Sequence, residues 1–434
     1  MKSSFKVGVG REVITPPLGT ALYGYPNVRY ATSVHDDLNV TAFAFSSGDE
    51  CAIMITADIC TFGREEAVAL KGLVSEATGV ATDRITLSAI HTHSGPCTRS
   101  SVGWGERNDA YINNILNPQT VKAAKSAVAN MREAVMGVGS TESLAGINRR
   151  EKTIDGQVIL GQNPWGIINK EMTVIAFKDT EGNGIGAMVN YGAHCTSAGA
   201  NTEITRDWAG GMCDILEREC GMPVAFFAGA TGDTGPRNPN GKTVGDIKQT
   251  EAVGALAGTD AVRAYKSIRE YTTPSFAVHK DTVRLPFEPL MPYEEAKAKL
   301  EALGDVTNAV GTPKKAAGKY RAVMDIYEQN LSYKDALEYE VITVSLGSVA
   351  FAPFPFEVFS EIAIRIAHHS PFARTLILNN TDGALAYFPT KSEIPLGGYE
   401  VFMFNHFQTQ NLTEDSDTVA VKEYVRILNN LKNK

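Results

Sequence analysis

The chain has 434 residues, 43% of them apolar and 21% charged, and a net charge of −8 at pH 7. That length supports a large buried core, while the acidic balance argues against nucleic acid as a partner, because a phosphate backbone calls for clustered Lys and Arg. No run approaches the roughly 20 apolar residues of a membrane-crossing helix, and Met1-Lys2-Ser3-Ser4-Phe5-Lys6 is too polar to open a signal peptide, so a soluble, cytoplasmic protein is expected.

Strands and helices alternate from residue 5 to 150. Thr41 to Phe45 and Cys51 to Thr56 read as a strand pair around a Gly-containing turn, and Arg64 to Gly79 and Val121 to Ala134 have helical apolar spacing. Arg84 to Ile90 is a β-branched, apolar run that reads as a strand. Met172 to Phe177 and Ile185 to Tyr191 bracket a second hairpin turn, and Pro223 to Ala228 is a short buried strand. Over about 293–331 the composition shifts to Ala, Lys and Glu, broken at Gly311-Thr312-Pro313, which predicts an inserted helical hairpin. Val341 to Phe354 returns to strand, Val358 to Ala367 is a helical run, and Val419 to Leu431 is a closing helix capped by Ser416 or Asp417. With no repeat, linker or clear boundary, the expected fold is α/β: mixed β-sheets flanked by helices in one large domain, residues 1–434.

The strand ending at Ile90 empties into His91-Thr92-His93-Ser94-Gly95-Pro96. Two imidazoles one residue apart at a strand end can take different directions, so one can ligate a metal while the other stands beside it as a proton carrier. The Gly-Pro pair is expected to stop the strand and expose the turn as a catalytic rim. His194, in Asn190-Tyr191-Gly192-Ala193-His194, occupies a second strand end. A histidine in such a place is more often a satisfied core residue than a ligand, but catalytic zinc typically takes three protein ligands. Glu357 could supply a carboxylate, although an acid before a helical run can simply complement the helix dipole. The six cysteines read as reduced, mostly buried thiols; Cys97 and Cys195, nearest in sequence to the histidines, are expected to be small apolar neighbours rather than thiolates. Asp36, Asp37, Asp58, Asp207 and Asp233 are candidates for orienting the imidazoles. The basic run Lys314 to Arg321 reads as a solvated helix start.

Taken together and in order, several motifs resemble the neutral/alkaline non-lysosomal ceramidases across nearly the whole chain. They are Ile14-Thr15-Pro16-Pro17, Val34-His35-Asp36-Asp37-Leu38, the His91 to Pro96 turn, Asn148-Arg149 and Asn190 to His194. Gly232-Asp233-Thr234-Gly235-Pro236-Arg237, Phe354-Pro355-Phe356-Glu357, Ala386-Tyr387-Phe388-Pro389-Thr390 and Gly398-Tyr399-Glu400 complete the set. The resemblance implies a mononuclear zinc amidase whose metal ligands fall on His91, His194, Glu357 and Tyr399, with His93 as general acid/base. Arg149 and Tyr387 would hold the substrate carbonyl and its oxyanion, and the two tyrosines could exchange roles. One Zn2+ per chain would activate a water for attack on a small-molecule amide.

The chain departs from that family in three respects. It closes near Leu431, so the family's C-terminal immunoglobulin-like domain is not expected. Phe356 and Ala386 stand where glycine is usual, beside the site. An apolar membrane-facing surface is not evident in the sequence. These departures point to an amide smaller or more soluble than ceramide. An esterase or lactonase on the same site, and a non-catalytic ligand-binding protein on the same fold, are the alternatives.

Overall fold

The computed structural model describes residues 5–100, 104–307 and 311–434; of the opening residues read for a signal peptide, Met1 to Ser4 lie outside them. The largest sheet has eight strands. In chain order these are β1 (Phe5–Val13), β2 (Asn39–Ser47), β3 (Glu50–Ala57), β4 (Ile85–Ala89), β5 (Arg132–Glu142), then β8 (Glu171–Asp179), β9 (Gly184–Tyr191) and β10 (Val224–Ala228). Between them come β6 (Gly146–Lys152) and β7 (Val158–Asn163), which with β11 (Thr234–Pro236) form a three-stranded sheet. The large sheet runs β10-β9-β8-β5-β1-β2-β3-β4, antiparallel except for the parallel pairs at its two ends.

A second sheet takes β12 (Phe276–Pro286), β13 (Ala336–Leu346), β14 (Val349–Pro353) and β16 (Arg374–Leu378) in that order. It packs on the first through Phe5, Phe43, Phe45, Phe177, Val344 and Phe351, all buried. Each inward face is apolar because alternate strand residues share one side. Helices cover the outer faces. Against the large sheet lie α1 (Arg64–Thr78), α2 (Asn117–Ala129), α3 (Asp207–Cys220) and α4 (Ile247–Lys266); the pair α5 (Tyr293–Ala302) and α6 (Thr312–Glu328) comes next in the chain. On the second sheet sit α7 (Ser360–His369) and, near the C-terminus, α9 (Ser416–Lys432), with α8 (Tyr399–Asn405) between them in sequence. Helix α2 rests on bare backbone: a Cβ at Gly10 would lie 2.1 Å from the Ala123 carbonyl oxygen.

Several boundaries differ from the sequence expectation, each for a tertiary reason. The helix expected to reach Ala134 ends at Ala129, and Ala134 instead pairs with Asp179 in the sheet. The strand expected over Val341 to Phe354 is a hairpin folded at Gly347-Ser348. Glu357 does not open a helix. Glu357–Val358 form a short strand, β15, parallel to β17 (Tyr387–Phe388), and the helix starts only at Ser360. Asp415, not Ser416 or Asp417, occupies the N-cap position of the closing helix, without a side-chain capping bond, while Asp417 in its first turn binds Arg365.

Closure of the large sheet positions the histidines. Its two ends curl together, so that the hydroxyl of Thr56, on β3 next to the edge, donates to the Phe226 carbonyl of β10 at 2.8 Å, and beyond β4 and β9 Thr92 pairs with Cys195. The chain leaving β4 and the chain leaving β9 are thereby brought side by side.

Candidate metal centre and catalytic site

His91 lies just after β4 with φ +70°, a left-handed conformation that costs a non-glycine residue about 1–3 kcal/mol and needs a rigid surround. This turn lets two residues of one strand end face the same point, and the His91 and His93 Nε2 atoms are 3.2 Å apart. The turn is not an exposed rim: residues 91 to 96 are all buried. The main chain around Tyr23 covers it, pairing with Gly95 and Pro96, and the Tyr25 ring stands edge-on to His93 at 5.1 Å. Gly24 lies flat on His93, where a Cβ would come within 2.5 Å of the ring carbon Cγ.

His194, fully buried, arrives from the end of β9, and Glu357 arrives from β15 with its N–H bound to Ala386 O at 2.9 Å. The Glu357 Oε2 atom is 3.3 Å from His91 Nε2 and 2.7 Å from His194 Nε2. On the far sides of the rings, His91 Nδ1 donates to Cys60 O at 2.8 Å and His194 Nδ1 to Thr231 O at 2.7 Å. Those carbonyls fix the tautomers, because a carbonyl can only accept. None of the five aspartates expected to orient the imidazoles does so. A carbonyl has no signature in the sequence, which is why these partners could not be read there. Asp36 instead binds Thr205 and Arg206, Asp37 binds Thr15, and Asp58 accepts from Asn39 N. Asp207 accepts from Ser197, Ala198 and Trp208 N–H groups.

The electrostatics arise from this enclosure. Burial, then the positive Arg149, lowers His194 to about 4, so it is neutral at pH 7 with its Nε2 lone pair facing Glu357. Burial pushes Glu357 up, but His91 and His194 outweigh it and hold the carboxyl well below its ordinary value. A neutral imidazole lone pair and a carboxylate oxygen at 2.7 Å repel unless a cation or proton lies between them. Ligands at ~2.0–2.1 Å from a tetrahedral zinc stand ~3.3 Å apart. The His91 to Glu357 separation of 3.3 Å matches that edge, and the His194 to Glu357 separation is shorter. His91, His194 and Glu357 therefore fit a divalent metal, as a group of donors within 4.8 Å of one another. A second such group, Cys60, His91 and His93, shares one imidazole with the first.

Cys60 is the cysteine that reaches the site, with Sγ 3.5 Å from His91 Nδ1. Cys97 and Cys195 do not act as thiolates: burial raises Cys97 to about 11 and Cys195 well above its ordinary value. His35 and Asp36 are 4.0 Å apart, and among the described residues they belong to no metal-binding donor group.

Around the cluster, the Tyr387 hydroxyl is 3.4 Å from His194 Nε2, and the Tyr399 ring packs against Tyr387 with centroids 5.5 Å apart. Arg149, on β6, has its guanidinium carbon 5.1 Å from the Tyr387 ring centre. Its Nε donates to Glu400 at 2.7 Å, while buried Nη2 has no hydrogen-bond partner. Arg150 donates to the other Glu400 oxygen at 2.7 Å and to Glu393 at 2.7 Å. This Arg149–Glu400–Arg150 bridge is not visible in the sequence, since the two arginines and the acid are some 250 positions apart. His93 is held well below its ordinary value by burial first and then by His91 and His194, which keeps it a neutral base; its Nδ1 is buried without a partner.

Asp233 shows a separate effect. Its Oδ1 accepts from Ser360 N and Ser360 Oγ, and burial pushes its carboxyl to about 6. A folded carboxyl raised above its unfolded value favours the protonated form. Its stabilising contribution is full below about pH 4 and is lost as pH rises to about 6. Asp233→Asn keeps the Oδ1 acceptor, so urea titrations should show a shallower fall in stability across that window, by on the order of 2 kcal/mol. An unchanged slope would place the proton elsewhere.

An apolar surface, not evident in the sequence, does occur beside the site. The β6–β7 hairpin and the loop after it expose Ile154, Ile159, Leu160, Trp165 and Ile167, with Trp165 at 93%. Val158 of this hairpin lies close to Gly398, next to Tyr399, where an added Cβ would come within 3.0 Å of its Cγ1.

Comparison with known proteins bears on these residues. The family profile for neutral/alkaline non-lysosomal ceramidase, N-terminal, matches residues 5–252. Neutral ceramidases B and A of Dictyostelium discoideum are each 28% identical, over 274 and 278 residues. Those stretches are 56% and 57% of this chain and 37% and 38% of the relatives, so the match spans little more than a third of their length. The neutral ceramidase of Pseudomonas aeruginosa shares the fold with a TM-score of 0.77 at 18% identity, covering 100% of this chain and 75% of that one. A ceramidase complexed with C2 gives 0.75 at 16%, covering 99% and 76%. Among the described residues, no helix is long and apolar enough to cross a membrane.

Proposed function

The chain belongs to the neutral/alkaline non-lysosomal ceramidase family, and from that premise we propose that it is a zinc-dependent hydrolase of carboxamides. The observation that carries this reading is the pair of neutral-imidazole and carboxylate lone pairs facing each other at 2.7 Å, with His91 beside them. On this reading residues 1–434 act as one catalytic domain.

His91, His194 and Glu357 would hold the zinc. The Tyr387 hydroxyl supports that residue, rather than Tyr399, as the fourth ligand: it is the phenol within 3.4 Å of His194 Nε2. Burial and then Glu357 hold its pKa well above the ordinary value, only partly opposed by Arg149, so a bound cation would have to draw off its proton. This exchanges the two tyrosines relative to the assignment taken from the resemblance. Zinc supplies Lewis acidity there, polarising a carbonyl and lowering the pKa of water toward about 7. His93 takes a proton from the attacking water at Nε2 and returns it to the leaving nitrogen, as its neutral state at pH 7 allows. Arg149 Nη2, buried and free of internal partners, donates to the oxygen that gains charge, and Tyr399 lines the same wall.

Two experiments test this reading. Amine release from a panel of N-acyl amines should be abolished by a chelator and restored by zinc; release unaffected by chelation would contradict the metal mechanism. Tyr387→Phe should weaken zinc affinity by about 10-fold or more, whereas Tyr399→Phe should leave it unchanged and lower turnover. The opposite pattern would return the ligand role to Tyr399.

A further inference from the structure

Lys315 and Lys319 are one helical turn apart on α6, so they share a face. That face is not solvated, contrary to the sequence expectation: Lys319 is buried and Lys315 half-buried. Lys319 is satisfied by Asn405 O at 2.5 Å and by the Asn411 side chain. Lys315 is not. Its Nζ lies 3.8 Å from Met403 Sδ, a weak acceptor one turn beyond Tyr399 on α8. That contact places Lys315 one turn from Tyr399, whose ring packs on Tyr387, and burial, then Arg99, lower its pKa while Glu357 raises it.

Arg99, six residues after His93, donates to Ala384 O at 2.6 Å, three residues before Tyr387. A third cation, Arg29, spends its N–H groups on the carbonyls of Tyr23, His93 and Asn201. Among the described residues, none of these three has a carboxylate partner within ion-pair distance. The arrangement is unusual in a chain of net charge −8, where Arg11, Arg206, Arg365 and the Arg149–Arg150 pair all meet acids. A half-desolvated cation without a counter-charge costs stability, and a bound anion would remove that cost.

We propose that Lys315 and Arg99 form an anion-binding subsite at the edge of the catalytic cleft, and that the substrate is an amide carrying a carboxylate, sulfonate or phosphate group. This rests on the amidase reading for the reaction, though not for the binding. The apolar hairpin surface beside the site is compatible with an acyl chain on the same molecule.

The test uses the zinc-loaded full chain and two matched pairs of ligands. N-octanoylglycine against N-octanoylethanolamine places the anion on the amine side; the hexylamides of succinate and of hydroxybutyrate place it on the acyl side. Calorimetry should show the anionic member of at least one pair binding ~10-fold tighter at low salt, with the preference shrinking as salt rises. Lys315→Met and Arg99→Met should each bring the ratio toward one, and Lys315→Arg should keep it. Equal affinity within both pairs, or a preference that survives both methionine variants, would overturn the subsite. Amine release is measured in parallel. Anion preference in binding with no amine release from any ligand would sustain the subsite and break the amidase reading; release without preference would do the reverse.

Discussion

Glu357→Ala lowers amide hydrolysis by ~10³-fold or more, while the chain keeps its fold. The size reflects what the carboxylate does. Among the described residues it is the carboxylate of the donor group, held ionised by two imidazoles despite burial. Without it, the two imidazoles and the Tyr387 hydroxyl are left with no carboxylate among them, and zinc is held far less tightly. The fold should persist because the position of residue 357 is set by main-chain pairing: its N–H binds Ala386 O, and it sits in register with Tyr387. Circular dichroism and amine-release kinetics on the same preparation check both halves. A variant that retains more than about a tenth of wild-type turnover would show that the carboxylate is not part of the site.

His93→Gln separates the proton carrier from the metal ligands. Turnover of an amide should fall by ~10²–10⁴-fold with zinc content unchanged. Three features set this expectation. His93 is neutral at pH 7 because of burial and its two imidazole neighbours, its Nε2 lies 3.2 Å from His91 Nε2, and Tyr25 and Gly24 fix its ring. An amine leaving group needs a proton more than an alkoxide does, so a matched ester should suffer less. Equal losses on amide and ester would favour the esterase or lactonase alternative. Loss of zinc in this variant would move His93 into the ligand set, through the second donor group it shares with Cys60 and His91.

The sequence reveals the site in outline because its histidines fall at strand ends beside small residues, a local pattern. What it cannot reveal is long-range. Curling of the eight-stranded sheet brings the ends of β4 and β9 together, and nothing in either strand predicts that closure. The carbonyls of Cys60 and Thr231 hold the imidazoles, yet any residue type could supply a carbonyl. Glu357 reads as a helix start because acid followed by apolar spacing is ambiguous; the strand pairing with Tyr387 decides otherwise. Cys97 and Cys195 are nearest in sequence, but Cys60, some 30 residues upstream, is nearest in space. Lys315 and Lys319 lie in a basic run, which is ordinarily solvated, and only the packing of α6 near α8 turns them inward.

Whether His91, His194 and Glu357 hold a metal decides between a hydrolase and a binding protein. Elemental analysis of the purified chain, before and after supply of zinc, tests this directly, together with His91→Ala, His194→Ala and Glu357→Ala. The expected result is one zinc per chain in the wild type, lost in each of the three variants. A wild-type chain that binds no metal even when zinc is supplied would contradict the hydrolytic site and favour a ligand-binding protein built on the same fold.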